Sequence, residues 1–150
     1  MDAEDLRDWT PLHLACESGD LESVTLLLES NVDVNSRDAR QSTPLHLAAL
    51  NGKYAVAALL LQKHADVAAR NSHQWTPLHL ASLKGYHILA VLLLQNDADV
   101  NATTDDQTTP LHLASEAGHL ELAVLFLEHK ANVEARDYSQ RTPLHRASSN

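Results

Sequence analysis

Residues 76–81, Thr-Pro-Leu-His-Leu-Ala, are the stretch of sequence that decides the fold. The same hexapeptide begins at Thr10, Thr43 and Thr109, and a copy with arginine at its fifth position begins at Thr142. Each copy starts 33 residues after the one before it, with no insertion or deletion. A fixed period of this length indicates a protein built from stacked repeats.

The hexapeptide and its period resemble the ankyrin repeat, for which this motif and this length are typical. The rest of each unit agrees, because similar segments such as Val32-Asp33-Val34-Asn35 and Ala98-Asp99-Val100-Asn101 recur at the same place in each unit. The resemblance covers nearly the whole chain, and four intact copies of the motif make it highly specific. A glycine also stands nine residues after each of the first four motif threonines, at Gly19, Gly52, Gly85 and Gly118.

This resemblance implies an all-α ankyrin-repeat solenoid of stacked helix-turn-helix units with projecting β-hairpin-like loops. The residues themselves favour helices, since Thr-Pro is a good start for one and leucine-rich segments such as residues 92–94 supply an apolar face. Neither helix of a unit could bury that face alone, so neighbouring units must stack. We expect a single array over residues 1–150, with repeats at about 5–37, 38–70, 71–103 and 104–136 and a partial repeat at 137–150.

One departure from the family pattern affects the turn after each second helix. The glycine usual there is replaced by Asn31, His64, Asp97 and Lys130. Asn and Asp tolerate a left-handed backbone better than most residues do. We therefore expect the turns at His64 and Lys130 to be strained or built differently.

Composition limits the class of protein. The hydrophobic fraction is 44%, yet no apolar run is long enough to span a membrane, and the acidic N-terminus lacks the apolar core of a secretory signal. The single cysteine, Cys16, rules out an internal disulfide and fits a reducing compartment. The sequence predicts an intracellular protein, cytoplasmic or nuclear, without a membrane contact.

The net charge of −9 is distributed unevenly. Residues 1–36 hold nine acidic and one basic residue, and residues 97–150 hold nine acidic and four basic residues. Residues 37–96, in contrast, hold six basic and two acidic residues. An acidic total argues against nucleic-acid binding, which needs a basic surface, while the basic middle favours an acidic partner.

Ten histidines raise the question of metal binding or catalysis. Equivalent atoms of successive units lie about 10 Å apart at helix-packing distance, too far to share a zinc ion. The family resemblance gives the five motif histidines a structural role, holding the threonine and the adjoining turn. No catalytic triad, phosphate-binding loop or nucleotide fingerprint is present, so we expect no enzyme activity, metal or cofactor.

The resemblance implies a protein-protein interaction module that binds through a concave surface of hairpin tips and first helices. Its middle would hold Leu50, Trp75 and Leu83, surrounded by cationic side chains. An aromatic centre with a polar rim is typical of interaction hot spots. We predict that Trp75 and Arg40 anchor an extended or helical segment of an acidic-apolar partner; alternatively, Trp75 packs along its own hairpin, as Trp9 would. The predicted binding residues are Arg7, Trp9, Arg40, Leu50, His73, Trp75, Leu83 and Lys84.

Two alternative functions stay open. The chain starts in phase with the end of a missing unit and stops after one helix of the fifth, which is typical of an excised or engineered repeat scaffold with no native partner. The segments ending at Asn35 and Asn101 resemble ankyrin sites of asparaginyl hydroxylases, which would make the chain a substrate.

The oligomeric state is predicted to be a monomer, with weak self-association through an apolar outer side as the alternative. That side of the second helices carries Ala55, Ala58, Ile88 and Val91, where solvent-facing polar residues are usual. Scattered apolar residues on a surface are normal, so the pattern alone does not decide between the two states.

Overall fold

The computed structural model describes residues 8–149, in which nine α-helices and no β-strand occur. The predicted all-α architecture of helix-turn-helix units is therefore confirmed. First helices are short and begin at the motif proline, and each second helix begins three or four residues after the first helix ends. The helices are α1 (Pro11–Ser18), α2 (Leu21–Glu29), α3 (Pro44–Leu50), α4 (Tyr54–Gln62), α5 (Pro77–Lys84), α6 (His87–Gln95), α7 (Pro110–Glu116), α8 (Leu120–Glu128) and α9 (Pro143–Ala147).

Each first helix begins in the same way, with a threonine cap and a histidine in the first turn. In α5, the Thr76 hydroxyl accepts the His79 backbone N–H, and His79 Nδ1 accepts the Thr76 backbone N–H at 3.1 Å. The other ring nitrogen, Nε2, donates to the Thr108 carbonyl of the next unit at 3.0 Å. The first four motif histidines thus fix both the helix start and the stacking of the following hairpin.

The units stack as two parallel rows of helices. First helices contact first helices (α1 with α3, α3 with α5), and second helices contact second helices (α4 with α6, α6 with α8). The core lies between the rows, where leucines from both helices are completely buried. Leu45, Leu60, Leu78, Leu93 and Phe126 are among its largest side chains.

The turns adopt a left-handed backbone without glycine. The φ angles after the second helices are 60° at Asn31, 68° at His64, 68° at Asp97 and 66° at Lys130. His64 and Lys130 are therefore not built differently from the other two turns, so that alternative is wrong; the other alternative, a strained left-handed residue, agrees with these φ angles. A non-glycine residue held there costs about 1–2 kcal/mol, which the surrounding packing must offset.

The projecting hairpins are joined to one another by single backbone hydrogen bonds. The Ser72 N–H donates to the Arg40 carbonyl at 2.9 Å, and the Asp105 N–H donates to the His73 carbonyl at 3.1 Å. These bonds hold the hairpin tips in a row along one edge of the first helices. That edge and the first helices form the two sides of a concave surface.

Candidate partner-binding surface

A groove of about 660 Å³ lies between the hairpins and the first helices of the first three units. Its apolar floor consists of Leu47, Leu50 and Leu80, contributed by α3 and α5. We call it the open groove. It is lined by Trp9, Glu17, Asp38, Arg40, Ser42, His46, Leu47, Leu50, Asn51, Asn71, Ser72, His73 and Leu80.

Helical spacing explains why these leucines face the groove. Leu47 and Leu50 are three residues apart, so they lie on the same face of α3. Leu80 is the equivalent of Leu47 one repeat later. Leu83 and Lys84 follow Leu80 by three and four residues and are exposed on the same face of α5, beside the open groove but outside its lining.

The rim of the open groove offers a cation. The Arg40 side chain is exposed, and no hydrogen bond or ion pair to its guanidinium occurs within residues 8–149. Beside it, His73 Nδ1 lies 3.4 Å from Asp105 Oδ2, with the histidine side chain 74% exposed. Arg40 is thus available to a carboxylate of a bound molecule.

Trp9 forms one end of the groove and is held in place. Its indole Nε1 donates to Asp38 Oδ2 at 2.9 Å, and its ring stacks on His13 with centroids 6.5 Å apart. Asp38 is buried, and its other carboxylate oxygen accepts the backbone N–H groups of Arg40 and Ser42 at 2.8 Å. Trp9 therefore connects the first unit to the second hairpin.

Trp75 occupies the equivalent position two repeats later, with a different environment. Its half-buried ring is tilted by 48° against His79, with centroids 5.8 Å apart. The residue equivalent to Asp38 is Thr104, whose hydroxyl donates to Asp106 instead. In the described part of the chain, no acceptor bonds the Trp75 indole N–H, and the side chain lies outside the open groove.

The fourth and fifth units fill the corresponding space with their own side chains. Arg146, which replaces the motif leucine, is 6% exposed and donates to Asp137 Oδ2 at 2.8 Å, Glu116 Oε2 at 3.1 Å and Thr108 Oγ1 at 2.8 Å. We call these four residues the Arg146 network. Burial alone would raise the pKa of Asp137, but hydrogen bonds from the Arg141 backbone and Arg146 lower it to about 2.

The structure brings together four of the eight predicted binding residues. Trp9, Arg40, Leu50 and His73 line the open groove, and Arg7 falls outside the described residues. The remaining three, Trp75, Leu83 and Lys84, lie outside the groove lining.

The sequence interpretation did not include Leu47 and Leu80 among the binding residues, although both line the open groove. Arg146, at the same place in the fifth unit, is a sequence signal that this position can lie beside polar groups. Asp38 was missed as well, because its partner Trp9 lies 29 residues away in the sequence.

The proposed modification sites take part in the stacking of units. Asn35 Oδ1 accepts the Asp66 backbone N–H at 2.8 Å, and Asn101 Oδ1 accepts the Asn132 backbone N–H at 2.8 Å. An enzyme acting on either side chain would have to open the turn first. Cys16 is completely buried, and this burial raises the pKa of its thiol to about 12.

Two motif histidines, His46 and His79, are neutral members of the framework. Burial lowers the pKa of His46 and of His79 to about 4, so at neutral pH each ring keeps one acceptor and one donor nitrogen. Among residues 8–149, no group of three or more histidine, cysteine or acidic side chains is placed to hold a metal ion. The same part of the chain has no helix of the length and hydropathy needed to cross a membrane.

Comparison with known proteins agrees with the repeat architecture. The sequence model of the family described as ankyrin repeats (3 copies) matches residues 12–104 and again residues 78–150. No curated protein matches the sequence.

Proposed function

Because the chain belongs to the ankyrin-repeat family, we propose that it binds another protein through its concave surface, centred on the open groove. Ankyrin repeats generally act as protein-protein interaction modules, and their fold is a non-catalytic one. The observation that carries the proposal for this chain is the apolar floor of the open groove, with an Arg40 guanidinium at its rim that has no partner within residues 8–149.

The chemistry of the groove favours a partner segment that is both acidic and apolar. The half-buried Leu50 and Leu80 offer apolar contact, and removing such surface from water supplies most of the binding free energy. A carboxylate of the partner would pair with Arg40, and the basic excess of residues 37–96 would attract it.

The contact must extend beyond the groove. A volume of about 660 Å³ accommodates a few side chains, whereas a specific interface buries about 800 Å² on each partner. The adjoining surface on α5 provides Leu83 and Lys84, and Trp75 lies at the start of the same helix. We assign these three residues to the outer part of the interface, where the Trp75 indole N–H would donate to the partner.

Affinity capture followed by variant binding tests this function. The intact chain is used to isolate proteins from cell extracts, and the identified partner is then titrated against purified variants. Arg40→Glu and Leu50→Asp should each weaken binding at least about 30-fold, which corresponds to about 2 kcal/mol. Lys130→Glu, a charge change of the same size in a turn far from the groove, should leave affinity within about twofold.

The outcomes separate the alternatives. Equal affinity of the Arg40→Glu variant and the unaltered chain would place the binding site elsewhere. Failure to capture any specific protein would favour a repeat scaffold without a native partner.

A further inference from the structure

The outward sides of the second helices form a second apolar surface, opposite the open groove. Ile88 on α6 is 63% exposed and Val124 on α8 is 48% exposed, while Ala58 and Val91 are half-buried beside them. Because α4 contacts α6 and α6 contacts α8, these side chains form one continuous row. We call this surface the outer face.

The charge near the outer face is positive beside α4 and negative on α8, with the uncharged α6 between them. Helix α4 contains no charged residue but is bounded by Lys53 and Lys63, and α6 contains none at all. Helix α8 carries Glu121 and Glu128. Within residues 8–149, none of these four charged groups makes an ion pair.

We propose that a second copy of this chain covers the outer face, related to the first by a two-fold axis parallel to α6. Such a rotation reverses the order of the units but keeps the level of each residue along its helix. Helix α8 of one copy therefore faces α4 of the other, and Ile88 meets its own counterpart at the axis. Both copies use the same surface, as a closed two-fold dimer requires.

In this arrangement, oppositely charged residues of the two copies lie at nearly the same height along their facing helices. Glu128 is the last residue of α8, and Lys63 follows the last residue of α4, a difference of one residue or about 1.5 Å of helix rise. Glu121 is the second residue of α8, and Lys53 precedes the first residue of α4, a difference of about 3 Å. The exposed Lys63 side chain is long enough to span its offset, whereas the Lys53 side chain lies against Gly19 at the end of α1 and adds only its positive charge to this side of the dimer.

The charge pattern favours this arrangement over one in which the units of the two copies run in the same order. With the units in the same order, Glu121 and Glu128 of one copy would face the same carboxylates of the other. Two chains of net charge −9 repel each other at long range, so the dimer depends on opposing the basic middle to the acidic end. The pairs set the register, and the apolar row supplies the affinity.

Sedimentation equilibrium of the intact chain at low salt, over a wide concentration range, tests the proposal. A reversible dimer is expected, and Ile88→Glu should weaken it at least about tenfold by placing two carboxylates together at the axis. Glu128→Lys and Lys63→Glu should each weaken the dimer, and the double variant should restore it. Glu134→Lys, an exposed carboxylate away from the outer face, is the matched control and should change nothing.

A chain that stays monomeric at millimolar concentration would overturn the proposal. So would a dimer unaffected by Ile88→Glu, or a double variant that is no tighter than the two single ones. The result is independent of the concave surface, because Ile88→Glu should leave the affinity for a captured partner unchanged.

Discussion

The open groove and the Arg146 network occupy equivalent places on one scaffold, two repeats apart. In the groove the equivalent positions hold Leu80 and Leu50; in the network they hold Arg146 and Glu116. The leucines leave a space of about 660 Å³, whereas the arginine crosses that space and bonds three side chains of its own chain. We therefore expect these two positions to decide whether this stretch of the concave face can receive a partner.

Acidification from pH 7 to pH 4.5 should cause the largest loss of stability. Burial lowers the pKa of His46 and His79 to about 4, below the ordinary value of 6.5, so the unfolded chain binds more protons between these values. Stability therefore falls as pH drops below 6.5, by about 5 kcal/mol for the two rings together at pH 4.5. Urea unfolding at pH 7 and pH 4.5 measures this loss.

The Asp137 carboxylate of the Arg146 network should respond to acid in a lower pH range than His46 and His79 do. The pKa of Asp137 is lowered to about 2 from 3.8, so its stabilising bonds to Arg146 persist above pH 3.8 and weaken only below it. An unfolding free energy that is flat between pH 7 and pH 4.5 would contradict the neutral, buried state of His46 and His79.

Removing the central arginine should be the next largest effect. Arg146→Ala leaves the buried Asp137 carboxylate without its guanidinium partner and should cost about 3 kcal/mol. The matched change in the open groove, Arg40→Ala, removes an exposed side chain and should stay within about 0.5 kcal/mol. Chemical denaturation of both variants provides the comparison. Equal losses of stability would mean that Arg146 does not stabilise the chain more than the exposed Arg40 does.

The two tryptophans allow a smaller test of the same contrast. Trp9→Phe removes the indole donor and leaves Asp38 Oδ2 buried without that bond, which should cost about 1–3 kcal/mol. Trp75→Phe removes an N–H that has no acceptor within residues 8–149 and should cost less than about 1 kcal/mol. Thermal unfolding of the two variants measures the difference, and a larger loss at Trp75 would refute it.

The smallest change in stability should be equal at His64 and at Lys130, because both residues have the same left-handed backbone. His64→Gly and Lys130→Gly relieve a left-handed φ and should each stabilise the chain by about 0.5–1 kcal/mol after the entropy cost of glycine. Lys63→Gly, at a negative φ of −93°, should destabilise by a similar amount. Opposite signs at neighbouring positions 63 and 64 would establish that strain, and not side-chain contact, is responsible.

The repeat period was enough to predict the fold, and the family resemblance was enough to name four of the residues that line the open groove. Thr-Pro marks each first helix, and Leu50 and Arg40 follow from their places relative to that motif. The left-handed backbone at His64 and Lys130 could not be predicted, since local preference opposes it and only the stacking of units imposes it. The role of Arg146 depends on Thr108, Glu116 and Asp137, which come from three different segments of the chain.

Trp75 illustrates a further limit of the sequence. It has the same position in its repeat as Trp9, so the pattern assigns both the same role. Their environments differ because the next unit offers Asp38 to one and Thr104 to the other. A contact across 29 residues is invisible to a motif that is read one unit at a time.

Hydrogen exchange of the chain with and without its captured partner tests the central claim most directly. We expect added protection at residues 38–51 and 71–84, which form the open groove and the adjoining face of α5, and no change at residues 137–149. Added protection that is confined to the fourth and fifth units, or spread evenly over all the units, would contradict the claim that the open groove is the binding surface.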